Sequence, residues 1–248
     1  MKLAALLAFC MLALAVPATG ASPQLERPYC LQQGDGASPI SLRAADGARL
    51  RGLLLGSGTR LGLVLGHQVG SNSCEWYEQA KTFAAAGYRV LAIDFRGFGS
   101  SPAPARLPTE ALDSDIAGAA AELRRRGAKR VVAIGSSLGG TAVVVAAANR
   151  RSRLDGAVAL SAPEAFYGMD ALSAAKRLSI PMRFLADRLD GRFPDAARAL
   201  AKAARSKDRA LLILPGGAHG TSLLENTLSA RRARAYVLAF LGRIAATA

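Results

Sequence analysis

The chain has 248 residues, 51% of them hydrophobic, which is enough to bury a substantial core as one domain and excludes a disordered chain. Lys and Arg exceed Asp and Glu by 14, and 26 of the 32 basic residues are Arg. These cations are spread along the chain, and the clusters Arg124-Arg125-Arg126, Arg150-Arg151 and Arg231-Arg232 fall at predicted helix ends or on solvated faces, so the charge by itself implies no acidic partner. No zinc-ligand spacing, phosphate-cradling loop or nucleic-acid motif occurs, and no metal, organic cofactor or nucleic-acid partner is expected.

The chain opens on Met1-Lys2, an apolar run from Leu3 to Val16, and the small residues Pro17-Ala18-Thr19-Gly20-Ala21-Ser22. That order of charge, apolar core and small-residue exit is a secretory signal, so residues 1–21 are expected to be removed on export to the periplasm or the medium. The run falls short of the roughly 20 residues that a spanning helix needs, and no stable membrane insertion is expected. Leu7-Ala8-Phe9-Cys10 departs from a lipoprotein signal in its bulky Phe9 and its early Cys10. Residues 22–39, rich in Pro, Gly and Gln, read as an extended lead-in to a domain over 40–248. Loss of Cys10 with the leader leaves Cys30 and Cys74 in an oxidising compartment, where a disulfide and two unpaired thiols stand equally open.

From residue 40 onward short apolar runs alternate with Ala-rich segments of helical length. Strands are predicted near 50–55, 61–65, 90–93, 131–134, 157–160, 182–186 and 210–214, and helices near 75–86, 109–126, 138–149, 170–177, 195–206 and 223–241. Gly87, Gly127 and Gly156 follow helices and precede strands, as helix C-caps do. The strands are apolar throughout rather than alternating, the mark of strands covered on both sides. The fold class is therefore α/β: a mostly parallel twisted sheet with helices on both faces. Only about twenty residues, Ser161 to Pro181, separate two of the strands, room for one helix and no cap domain.

Directly behind the run Val131-Val132-Ala133-Ile134 stands Gly135-Ser136-Ser137-Leu138-Gly139. This is the G-x-S-x-G elbow, with Ser137 in the nucleophile position, where small neighbours are needed because the strand-to-helix turn is so sharp. A serine hydroxyl needs a base, and the chain holds only His67 and His219. His219, in Pro215-Gly216-Gly217-Ala218-His219-Gly220 past the last predicted strand, fits the chain order Ser, acid, His. Trp76 and Tyr77 at the start of the first helix read either as pocket lining or, more commonly for such aromatics, as core anchors.

Together with Leu63-Val64-Leu65-Gly66-His67-Gln68, Asp94-Phe95-Arg96-Gly97-Phe98-Gly99-Ser100 and the terminal Gly-Ala-His-Gly, the elbow resembles the single-domain α/β-hydrolase fold of serine hydrolases, in its compact, lidless type: dienelactone-hydrolase-like enzymes and small esterases. The resemblance covers residues 40–245. It implies an oxyanion hole from the backbone N–H of Gln68 or Val69 with that of Leu138, although Gln68 stands where the family usually has Gly. It implies structural roles for His67 and for the turn carrying Asp94 and Arg96. It also implies the acid: anchoring the family spacing on Pro181 and Pro194 puts Asp190 in the acid position, with Asp187 as the alternative, at the place of a usual Gly. Asp195 reads as a first-turn helix acid.

The resulting expectation is an exported hydrolase acting on small-molecule carboxylic esters of small or medium acyl groups, with Ser137, His219 and Asp190 as the triad. Acyl transfer to another alcohol on the same triad, and a non-catalytic binding protein on the same scaffold, are the alternatives. Serine at the elbow argues against dehalogenase or epoxide-hydrolase chemistry, for which this fold uses Asp. Mass spectrometry of protein from the exporting cell is expected to find a chain starting at about residue 22. An intact Met1 in the soluble fraction would refute export.

Overall fold

The computed structural model describes residues 28–248 apart from positions 33, 35, 107 and 226–228, so the expected signal segment lies outside the described residues. In chain order the elements are β1 (Ser38–Arg43), β2 (Arg49–Leu55), β3 (Leu61–Gly66), a 3-10 turn (Ser73–Trp76), α1 (Tyr77–Ala85), β4 (Arg89–Asp94), α2 (Leu112–Arg125), β5 (Arg130–Ser136) and α3 (Leu138–Ala148). A second 3-10 turn (Arg150–Ser152) leads to β6 (Gly156–Leu160), the short strands β7 (Ala165–Phe166) and β8 (Met169–Asp170), and α4 (Ala171–Ala175). The chain then runs through β9 (Met182–Asp187), α5 (Phe193–Ala203), β10 (Arg209–Leu214), a third 3-10 turn (Gly220–Leu224) and α6 (Ala230–Ala246).

Eight strands form one sheet in the order β1-β2-β4-β3-β5-β6-β9-β10. β2 runs antiparallel to both β1 and β4, and every other pairing is parallel. Both faces are covered, which explains the apolar strands. Val64, Val131 and Ala133 face a core shared with α2, α3, α4 and α5, whereas Leu63, Leu65, Val132 and Ile134 face a second core closed by α1 and α6. Between β3 and β5 the strand order reverses, since β4 lies on one side of β3 and β5 on the other. In such sheets the crevice for ligands opens beyond the C-terminal ends of the strands at this reversal.

The sequence reading misses β1 because only Leu42 of Ser38–Arg43 is buried outright and the strand carries Pro39, both features of a sheet edge. The lead-in thus joins the sheet at Ser38, two residues before the expected domain start. β7 and β8, two residues each, are too short to leave a periodic signal. α2 starts at Leu112 rather than 109, and the predicted helix at 223 divides into the 3-10 turn and α6. Between β6 and β9 the chain forms only the small hairpin and α4, with no cap domain.

Cys30 and Cys74 form a disulfide with their Cα atoms 5.6 Å apart, tying the lead-in to the 3-10 turn before α1. Trp76 is fully buried and Tyr77 nearly so, both in the core with α1 and α6, so they serve as core anchors.

The turn after β4 is held by a buried ionic cluster. Arg96 donates from Nε and Nη2 to Asp115 Oδ1 at 2.8 and 2.6 Å, and from Nη1 and Nη2 to Asp46 at 2.7 and 2.9 Å. Its side chain and that of Asp115 are wholly shielded from solvent. Removing one member of such a pair strands a buried charge, so Asp115→Ala is expected to lose about 3 kcal/mol of stability in urea unfolding. Loss below about 0.5 kcal/mol would show the cluster to be incidental.

Candidate active site

Ser137 sits between β5 and α3 with φ 49° and ψ −111°, a backbone conformation rare for a residue with a side chain. Such a conformation costs on the order of 1–3 kcal/mol and persists only where its surroundings enforce it. Here they do. A Cβ at Gly135 would meet Gly139 O at 2.1 Å, and one at Gly139 would meet Gly66 O at 2.2 Å, so the chain closes the turn only with glycine at both positions. Ser137 N–H donates to Leu160 O at 2.8 Å and Gly139 N–H to His67 O at 3.1 Å, which fixes the elbow to β6 and to the loop after β3. Ser137 is 7% exposed, and its hydroxyl makes no hydrogen bond among the described residues. Ser136 is fully buried and its hydroxyl is committed to Glu75, so of the two serines only Ser137 has a hydroxyl without a partner among the described residues.

His219 follows β10, and its Nδ1 lies 3.0 Å from both carboxylate oxygens of Asp190, in the loop after β9. Asp190 is buried, while the histidine side chain is 32% exposed. Ser161 Oγ, at the end of β6, donates to Asp190 Oδ2 at 2.6 Å and accepts from Gly220 N–H at 3.1 Å. The Phe193 ring packs against the imidazole with centroids 4.3 Å apart. With Nδ1 on the carboxylate, Nε2 is left without a partner among the described residues. A Cβ on Gly220 would lie 3.2 Å from Ser136 Cβ and 3.0 Å from Gln68 Oε1, which brings the histidine loop onto the elbow and the loop after β3.

Asp187, the alternative acid, is placed differently. It is wholly buried at the end of β9, and its Oδ2 accepts from Ala218 N–H at 2.8 Å. It holds the backbone leading to His219 and does not touch the imidazole. Gly216 is needed there, since a Cβ would meet Asp187 Oδ2 at 2.3 Å.

One oxyanion candidate is corrected. Gln68 N–H donates to Glu75 Oε2 at 2.9 Å and is not available to a ligand. Val69 N–H and Leu138 N–H, the other two candidates, make no hydrogen bond among the described residues. Leu138 is also the first residue of α3, where the helix dipole favours developing negative charge.

His67 lies under the loop, fully buried. Its Nε2 accepts from Phe95 N–H at 3.1 Å, so Nδ1 carries the proton and donates to Gln68 O at 2.7 Å. Asp94 takes Ser73 N–H at 2.6 Å and Ser100 N–H at 2.8 Å, bracing the turn after β4 against the 3-10 turn.

The sequence gives no sign of two participants. Glu75 reads there as an ordinary acid at a helix start, and Ser161 as a loop residue after a strand. In the structure Glu75 accepts from Gln68 N–H and from the Ser136 hydroxyl. Burial raises its carboxyl above the ordinary 4.5, while Ser136, Gln68, Ser71 and Thr221 oppose the rise by hydrogen bonding. Among the described residues no group of His, Cys, Asp and Glu side chains is arranged to hold a metal ion, and no helix is long and apolar enough to cross a membrane.

Comparison with known proteins agrees with this fold. The model of the alpha/beta hydrolase fold family matches residues 63–235, and the chain belongs to that family. It is 30% identical over 142 residues to epoxide hydrolase 3 of Xenopus tropicalis, covering 57% of this chain and 38% of that protein. To epoxide hydrolase A of Mycobacterium tuberculosis it is 31% identical over 131 residues, 52% of this chain and 40% of the other. The chain thus matches less than half the length of these relatives. Among solved structures, an esterase of Pyrococcus furiosus superposes with a TM-score of 0.69 at 16% identity, covering 84% of this chain and 92% of that one, which shows the shared fold. The chain thus has the α/β-hydrolase fold and is similar in sequence to parts of epoxide hydrolases and in fold to an esterase.

The buried histidine has a consequence for acid stability. Burial lowers the His67 value from the ordinary 6.5, although the Gln68 carbonyl and Asp94 work against the change. The folded protein therefore resists the proton that the unfolded chain accepts. Stability is full above about pH 6.5 and falls below it, by at most about 1.4 kcal/mol per pH unit for one proton. Urea unfolding between pH 7 and 5 is expected to show a shallower decline in His67→Asn than in the wild type. Equal slopes would show that His67 does not carry the effect.

Proposed function

We propose that the protein cleaves carboxylic esters of small or medium acyl groups through an acyl-enzyme on Ser137. The observation that carries this reading is the Asp190 carboxylate on His219 Nδ1, in a loop seated against a strained serine elbow. His219 Nε2 takes the Ser137 proton as Oγ attacks the ester carbonyl, and the developing oxyanion lies between Val69 N–H and Leu138 N–H. Collapse of the tetrahedral intermediate breaks the bond to the alkoxide, which leaves with the proton from His219. Water, deprotonated by His219, then attacks the acyl-Ser137 carbonyl, and the acid leaves as Oγ recovers its proton. Asp190 fixes the imidazole tautomer and stabilises the imidazolium, and Ser161 fixes Asp190.

The similarity to epoxide hydrolases does not extend to this chemistry. An enzyme carboxylate that opens an epoxide forms an ester, which water can hydrolyse at its carbonyl. Ser137 attacking the same carbon would form an ether, which has no carbonyl and would end the cycle. Acyl transfer to serine leaves a hydrolysable ester, so serine favours ester substrates.

Three exposed apolar side chains lie on the loops around the site: Val69 on the oxyanion loop, Leu189 beside Asp190, and Tyr167 at the tip of the β7–β8 hairpin, packed on Phe98. With no cap over them they suit short acyl groups better than long lipid chains. The Cys30–Cys74 disulfide supports export to an oxidising compartment.

A fluorophosphonate probe is expected to label the wild type and Ser136→Ala but not Ser137→Ala. With p-nitrophenyl esters of increasing chain length, turnover is expected to be highest for short acyl groups. His219→Ala should approach Ser137→Ala in severity, and Asp190→Asn should lose up to about 10⁴ in kcat by analogy with the serine-protease triad. Near-normal activity in Asp190→Asn with a folded but dead Asp187→Asn would assign the acid to Asp187.

A further inference from the structure

We propose that Glu75 is a positioning residue that sets the separation of the two oxyanion donors by bridging the loop after β3 to the end of β5. The inference rests on the reading of Ser137 as nucleophile. Its carboxylate accepts from Gln68 N–H on one oxygen, at 2.9 Å, and from the Ser136 hydroxyl on the other. Gln68 stands one residue before Val69, and Ser136 two before Leu138, with Ser137 between. A single side chain therefore spans the halves of the site where the strand order reverses.

The aim of Val69 N–H follows from the same contacts. A peptide unit is planar and trans, so the N–H of Val69 points opposite to the C=O of Gln68. That carbonyl is held by His67 Nδ1–H at 2.7 Å and by Ser71 N–H at 3.3 Å. The preceding peptide is held by Glu75. With the peptides on either side of Gln68 fixed, the loop keeps Val69 N–H in one direction despite a side chain where the family usually has none. Glu75 in turn is held in place by its neighbours: Cys74 is tied down by the disulfide, Asn72 Oδ1 caps the turn through Cys74 N–H at 2.9 Å, and Trp76 is fully buried.

Donors preset at the right separation lower the barrier without changing ground-state binding, so the effect belongs in kcat. The test measures kcat and KM on p-nitrophenyl butyrate, expressed per serine labelled by fluorophosphonate, so that loss of folded protein is not read as loss of rate. Glu75→Ala is expected to lower kcat per labelled serine by about 10²-fold, the scale of one lost oxyanion donor, with KM within about 2-fold. Glu75→Gln, which keeps an acceptor for Gln68 N–H, is expected to recover most of the rate. Should Glu75→Ala not fold, Ser136→Ala removes only one hydroxyl from the bridge and is expected to lower kcat by about 10-fold at unchanged KM. Labelled serines that turn over at the wild-type rate in Glu75→Ala, or in Ser136→Ala where that variant stands in, overturn the bridge and leave the nucleophile reading intact. A wild type that takes no probe at Ser137 overturns both.

Discussion

At the elbow, backbone meets backbone. The first turn of α3 descends onto the ends of β3 and β5 until Gly139 lies against Gly66 and Gly135 against Gly139, with no room for a side chain at the two elbow glycines. From this approach the rest of the site follows. It puts Ser137 into a left-handed conformation that its sequence neighbours alone would not hold, and it joins Gly139 N–H to His67 O, so that the loop after β3 and the start of α3 share one frame. Val69 and Leu138, whose N–H groups make no hydrogen bond among the described residues, lie on the two segments that this contact joins.

Around that frame the loops are held by carboxylates rather than by regular structure. Asp94 binds the N–H groups of Ser73 and Ser100, Asp187 that of Ala218, Asp190 the imidazole of His219, and Glu75 the N–H of Gln68. Each acts at the C-terminal edge of the sheet, where strands end and backbone donors would otherwise be unmet. Charge-assisted bonds of this kind are short and directional, which suits loops whose geometry must be kept to fractions of an ångström. Acids are scarce in this chain, 18 against 32 basic residues, and several of the few it has are spent here, while cations such as Arg43, Arg49 and Arg198 lie in solvent.

What the sequence reveals follows from how local the determinant is. The parallel strands announce themselves because both their faces are buried, and the elbow because sterics demand its glycines. Asp190 is reached through the family spacing between Pro181 and Pro194, and the structure sets that carboxylate on His219. β1 escapes because an edge strand needs to bury only one face, and its apolar positions are few. Whether Cys30 and Cys74 pair depends on a separation that only the folded chain supplies. Glu75 and Ser161 escape for the same reason: their partners lie 61 and 29 residues away, and no local pattern marks a residue whose significance is a distant contact.

Gln68 shows how such distant contacts alter a local rule. A glycine at this position would leave the backbone free, and a side chain by itself restricts that freedom. In this chain the Gln68 backbone is held on both sides: N–H on Glu75, and C=O on His67 and Ser71. The freedom lost at position 68 is replaced by fixed contacts to the 3-10 turn and the buried histidine. A loop held in this way has few alternative conformations, and donors on such a loop need no rearrangement when charge develops beside them.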